Sequence, residues 1–151
     1  MATFMRANIL CAARSDSFPQ LPVRPRIVVV DDSPELLDVV CAVLKSQYEV
    51  EIIGRGKDGQ EALEMAAMLR PDLIIMDIRM PRMDGLVACS LISMRYPAIS
   101  VLLMSGEESS ELRSQAHTCG ARTFIFKPKF ASAIAEVLGT LRRKARTCSR
   151  A

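Results

Sequence analysis

The chain has 151 residues, of which 50% are hydrophobic and 25% charged, and a formal net charge of +3. The length suits one domain with a sizeable core and the composition excludes a disordered chain. So small a net charge gives no reason to expect a nucleic-acid partner. The five cysteines (Cys11, Cys41, Cys89, Cys119, Cys148) show no C-x-x-C spacing and there is a single His. Neither a disulfide framework nor a structural metal is expected, and a reducing cytoplasm is the default location. No apolar run reaches the ~18 residues of a membrane span.

Residues 1–25 read as a flexible extension. Arg6 and Arg14 flank a short apolar stretch, and Pro19, Pro22 and Pro25 then break regular structure. As a signal peptide the stretch is poor, because it is short and no clean cleavage site follows. From Arg26 the pattern turns regular. Ile27-Val28-Val29-Val30 is a β-branched strand ending in Asp31-Asp32. Ser33 reads as an N-cap with Pro34 at the first helical position. Leu36, Leu37, Val40, Val43 and Leu44 recur at helical spacing through about Ser46. Val50 to Ile53 is a second strand, with Gly54 and Gly56 as turn residues. Asp58 to Leu69 is a helix with Ala62, Leu63, Ala66 and Leu69 inward.

Leu73-Ile74-Ile75-Met76 is an uninterrupted apolar run that leads into Asp77. Such a run fits a strand covered on both faces, as in a parallel sheet. Pro81 and Asp84-Gly85 mark the loop after it. Leu86 to Tyr96 is a helix stopped by Pro97. Ile99 to Met104 is a strand followed by Ser105-Gly106-Glu107. Glu108 to Cys119 is a polar helix closed by Gly120, and His117 on it reads as solvated. Thr123 to Phe126 is the last strand, ending in Lys127-Pro128, and Ala131 to about Arg143 is the final helix. Met65, Met68, Met76 and Met104 fall in apolar patterns and are expected in the core. The basic tail after Arg143 reads as a solvated helix end.

Five strands alternating with five helices argue for an α/β doubly wound parallel sheet with helices on both faces. Four strands then deliver polar groups to one carboxyl edge: Asp31-Asp32, Asp77, Ser105 and Lys127. In such sheets ligands bind at that edge. Three clustered carboxylates repel one another unless a cation sits among them. An oxygen-rich site with few ligands suits Mg2+. A lysine and a hydroxyl beside it suit a tetrahedral oxyanion. Asp77 is placed as a nucleophile, since carboxylates form aspartyl-phosphates.

The stretches Val-Val-Val-Asp31-Asp32-Ser-Pro, Met-Asp77-Ile-Arg-Met-Pro81, Asp84-Gly85, Leu-Leu-Met-Ser105-Gly and Phe124-Ile-Phe-Lys127-Pro128 together resemble the receiver domain of two-component response regulators. The resemblance covers residues 26–143, with 144–151 left as a short basic tail. It implies the flavodoxin-like strand order 2-1-3-4-5. It further implies that Asp77 takes a phosphoryl group from a sensor histidine kinase, a phosphotransfer protein or a small-molecule donor. Asp32 and Asp77 would bind Mg2+ (or Mn2+ in its place) directly, Asp31 through water, and the main-chain carbonyl of Arg79 would complete the protein ligands. Ser105 would hydrogen-bond the phosphoryl oxygens and Lys127 would pair with them. Ser105 and Phe124 would be the switch residues. The surface of the fourth helix, fifth strand and fifth helix would change to control a downstream protein or a second copy of the chain. The Lys127–Pro128 bond is expected to be cis.

Arg79 and Glu107 stand two residues after Asp77 and Ser105, positions that the resemblance implies tune hydrolysis of the phosphoryl group. They are expected to pair across the site and hinder an attacking water. The resemblance makes the chain a switch and not an enzyme, beyond its own phosphorylation and dephosphorylation. An aspartate-nucleophile phosphatase is disfavoured, because such enzymes carry a second Asp where Arg79 stands. A phosphorylation-independent interaction domain is disfavoured by the complete set of charged residues. A receiver fragment of a longer, DNA-binding regulator remains the alternative.

Overall fold

A computed structural model describes residues 24–139. The elements are β1 (Arg26–Val30), α1 (Pro34–Gln47), β2 (Glu51–Gly56), α2 (Gly59–Leu69), β3 (Leu73–Asp77), α3 (Gly85–Arg95), β4 (Ser100–Ser105), α4 (Ser110–Thr118) and β5 (Thr123–Phe126). A 3-10 turn (Lys127–Lys129) leads into α5, helical over residues 130–139. The expected extension to residue 23, the basic tail and the end of the final helix lie outside the described residues.

The five strands form one parallel sheet in the order β2-β1-β3-β4-β5. Strand alternation splits the core in two. Ile27, Val29, Leu73, Ile75, Leu102 and Met104 face α1 and α5, where Leu37, Val40, Leu44, Ile134 and Leu138 cover them. Val28, Val30, Ile74, Met76, Val101 and Leu103 face the opposite way, against Ala62 and Ala66 of α2, Ala88 and Ile92 of α3, and Leu112 and Ala116 of α4. Being covered on both sides is what makes β3 apolar without interruption, and every residue of it is buried.

Each of the first four helices starts at a side-chain cap. Ser33, Asp58, Asp84 and Ser109 accept from the backbone N–H three residues on, at Leu36, Glu61, Val87 and Leu112. These caps move three expected boundaries: Asp58 precedes its helix, α3 begins at Gly85 instead of Leu86, and α4 begins at Ser110 instead of Glu108. Four further expectations are corrected. β2 runs on through Gly54 and Gly56, because they are strand positions pressed against α2. A Cβ on Gly54 would stand 2.9 Å from Met65 Sδ, and one on Gly56 2.6 Å from Met65 Cε. Leu36 is 38% exposed and Met68 82% exposed. Both sit on the solvent margin of their helix's apolar stripe, where periodicity does not separate edge from core. The Lys127–Pro128 bond is trans, and no cis peptide bond occurs among the described residues. Pro128 lies in the first turn of the 3-10 segment, which its fixed φ suits.

Candidate functional site

All four predicted polar strand ends arrive at one edge of the sheet. Asp77 is the last residue of β3 and pairs with Met104, the residue before Ser105, so the phosphoacceptor candidate and Ser105 end adjacent strands. Asp31 follows β1, and its N–H donates to Gly56 O at 3.0 Å. Lys127 follows β5. Its Nζ lies 2.8 Å from Asp31 Oδ2 and 3.2 Å from Asp77 Oδ2. One ammonium thus ties the ends of β1, β3 and β5 together.

The three carboxylates each bring an oxygen within 4.8 Å of the others. Asp31 and Asp77 are buried and Asp32 is exposed, so the cluster opens to solvent on one side. Asp31 Oδ1 accepts from Ser33 N–H at 2.9 Å. Asp31 Oδ2 is fully buried and receives no hydrogen bond of good geometry, although the Lys127 ammonium stands beside it. Burial pushes the Asp77 carboxyl up to about 6; the Lys127 ammonium opposes this, and the Asp31 and Asp32 carboxylates add to it. Burial alone would lower the Lys127 ammonium, but its contacts with Asp31 and Asp77 raise it above the ordinary lysine value, so it stays charged.

Three carboxylates against one ammonium leave an uncompensated negative charge in a partly dry pocket. A divalent cation with oxygen preference fits that set of three clustered carboxylates. The Asp31, Asp32 and Asp77 carboxylates would hold it, with the Arg79 carbonyl two residues beyond Asp77.

Arg79 Nη2 meets Glu107 Oε2 at 2.7 Å, which is the pairing expected from the sequence. Both side chains are largely exposed, and the pair joins the loop after β3 to the loop after β4. Ser105 is buried and its Oγ accepts from Glu107 N–H at 3.1 Å, leaving its own proton free to donate. Phe124 is 6% exposed, packed with Leu103, Leu112 and Ala116, and Arg113 stacks over its ring at 4.9 Å from the centroid. His117 is exposed on α4, as expected.

Sequence reasoning missed Asp58 and Arg82. Asp58 is buried beside the site's loops, and its Oδ2 accepts from Arg82 Nε at 2.8 Å and from Arg82 Nη2. The signal available was Asp58 three residues before Glu61, a helix-cap pattern. Glu61 does reach back, to Lys57 N–H at 2.7 Å.

A doubly wound parallel sheet with an acidic pocket and one partly buried lysine at its carboxyl edge defines a class of α/β domains that bind ligands at that edge. The model for the response regulator receiver domain matches residues 27–138, and the chain belongs to that family. It is the receiver domain of a two-component response regulator. The chain is 40% identical over 105 residues to a protein-glutamate methylesterase/protein-glutamine glutaminase of Pyrococcus abyssi, covering 68% of this chain and 28% of that protein. It thus spans about a third or less of the methylesterases it matches. Among solved structures, the response regulator domain of Thermotoga maritima CheB is 35% identical with a TM-score of 0.70, covering 80% of this chain and 96% of that one. The CheX-CheY-BeF3-Mg+2 complex from Borrelia burgdorferi has a chain 27% identical with a TM-score of 0.69, covering 77% of this chain and 86% of that one. No helix among the described residues is long and apolar enough to cross a membrane.

Proposed function

We propose that the chain is a phosphorylation-activated signalling switch whose phosphoacceptor is Asp77. The observation that carries this reading is the placement of Asp77, buried at the end of β3 with Lys127 Nζ 3.2 Å from its carboxylate. A carboxylate oxygen of Asp77 attacks the phosphorus of a phosphohistidine on a kinase or phosphotransfer protein. The new P–O bond forms as the donor's P–N bond breaks, and the imidazole nitrogen keeps the electron pair. Lys127 is already positioned to meet the negative phosphoryl oxygens, and the Ser105 hydroxyl has a proton to give them. Mg2+ (or Mn2+), when bound, supplies positive charge that offsets the phosphoryl oxygens. The neighbour solved with BeF3 and Mg2+ supports this reading.

After transfer, the acyl phosphate draws on Ser105, and Phe124 repacks with it. Phosphorylation biases an equilibrium between two arrangements of the α4-β5-α5 surface. That surface would then be read by a downstream protein or a second copy, in the cytoplasm. Phe124 has no hydroxyl, so its two positions differ by burial and by the Arg113 contact alone.

Incubation with acetyl phosphate and Mg2+, read by intact mass, tests the switch. One phosphoryl group should be gained by the wild type and none by Asp77→Asn. Absence of an adduct with every donor, including a phosphorylated kinase domain, would favour a phosphorylation-independent domain.

A further inference from the structure

The loop between β3 and α3 is held from outside the pocket by two residues that phosphoryl chemistry does not use. Asp58 is 1% exposed. One of its carboxylate oxygens accepts from Glu61 N–H at 2.9 Å and caps α2. The other accepts from both Arg82 Nε and Arg82 Nη2, the former at 2.8 Å. Burial works against the charged carboxylate, but the Glu61 N–H and the Arg82 guanidinium outweigh it and hold Asp58 below its ordinary value. Arg82 meets this partner from a left-handed backbone conformation, φ 65°. A residue with a Cβ is disfavoured there and glycine is not. The ion pair is a physical reason for an arginine at that position.

The surrounding backbone leaves no slack. Gly59 N–H donates to Met83 O at 2.9 Å, and a Cβ on Gly59 would stand 2.4 Å from that oxygen. A Cβ on Gly85 would stand 2.2 Å from Asp77 O. The start of α2, the β3–α3 loop and the main chain of Asp77 are therefore stacked backbone on backbone. Arg79, whose carbonyl would complete the cation's ligands, lies inside the loop so clamped.

We propose that Asp58 and Arg82 form a clasp that fixes the β3–α3 loop, and that both are positioning residues for divalent-cation binding. This rests on the reading of the pocket as a Mg2+-dependent phosphoacceptor site. Without the clasp the loop must be ordered when the cation binds, and that cost weakens affinity.

Two variants remove the clasp and keep the fold. Asp58→Asn retains an N-cap acceptor. Arg82→Gly removes the guanidinium and fits the left-handed backbone. Calorimetric titration with MgCl2 should show Kd raised about tenfold in each, the lower end of what outer-shell partners of metal ligands contribute. The double variant should be no weaker than either single one, since both remove the same contact. Phosphorylation by acetyl phosphate should slow at limiting Mg2+ and recover at saturating Mg2+, a recovery that a merely unstable variant would not show. Unchanged Mg2+ affinity in both single variants would overturn the proposal. So would affinity lost only in step with melting temperature, which makes the pair merely structural. A wild type that binds no Mg2+, measured beside Asp32→Asn, would instead reject the phosphoacceptor reading, and the clasp with it.

Discussion

Burial holds the Asp77 carboxyl at about 6 in the metal-free protein, above its ordinary 3.8. The sign follows from proton linkage. Between these two values the folded state binds more protons than the unfolded state, so this group's contribution to stability falls as pH rises through that interval. Asp77→Asn removes the titration. Melting curves in a metal chelator should coincide near pH ~4 and diverge by pH ~7, with the variant the more stable, and saturating Mg2+ should close the gap for the wild type. A wild-type advantage at neutral pH without metal would show that Lys127 outweighs burial. The Arg79–Glu107 pair makes a kinetic prediction at the same scale. If the pair shields Asp77 from an attacking water, Arg79→Ala should shorten the aspartyl-phosphate lifetime by about two- to fivefold, in keeping with the strength of an exposed ion pair. The effect should shrink in high salt. A half-life of seconds that the substitution leaves unchanged would count against a shield. Asp31, Asp32, Asp77, Ser105 and Lys127 were legible because each follows an apolar strand. Asp58 and Arg82 were not, because they meet across 24 positions and only the tertiary fold reveals the pairing.

Elements explain why these residues hold their places. β3 and β4 end side by side, and the first turn of α3 returns directly beneath Asp77. Gly85 makes that return possible, since a methyl there would collide with Asp77 O. Gly85→Ala should destabilise the domain by about 1–3 kcal/mol, the ordinary cost of overpacking. Any folded fraction should phosphorylate slowly under the proposed mechanism, because the displaced group is the main chain of Asp77. Denaturant unfolding beside phosphorylation rates checks both, and a variant of wild-type stability would show that α3 can shift freely. Helix starts were readable where a cap preceded an apolar run, as at Ser33. Gly54 and Gly56 misled, because composition marks glycine as a turn residue and nothing local announces Met65 behind the strand. Leu36 and Met68 misled for a related reason: a 3.6-residue period gives the direction of a helix face and not its width.

At the scale of the whole molecule, the fold brings four polar strand ends to one edge and joins three of them through a few charges. Both covering layers followed from alternation and crossover handedness, the strand order only from the family resemblance, and the structure agrees with both. The chemistry of the edge depends on that order, since Lys127 can reach Asp31 and Asp77 only if β5, β3 and β1 end together. The central claim is that this convergence makes Asp77, and neither of its two acidic neighbours, the group that carries the phosphoryl. The most direct measurement is to phosphorylate the protein with acetyl phosphate and Mg2+, reduce the acyl phosphate with borohydride, and map the product by peptide mass spectrometry. The account predicts homoserine at position 77 and unmodified aspartate at 31 and 32. Reduction at Asp31 or Asp32, or at no aspartate in a sample whose intact mass shows the phosphoryl group, would contradict it.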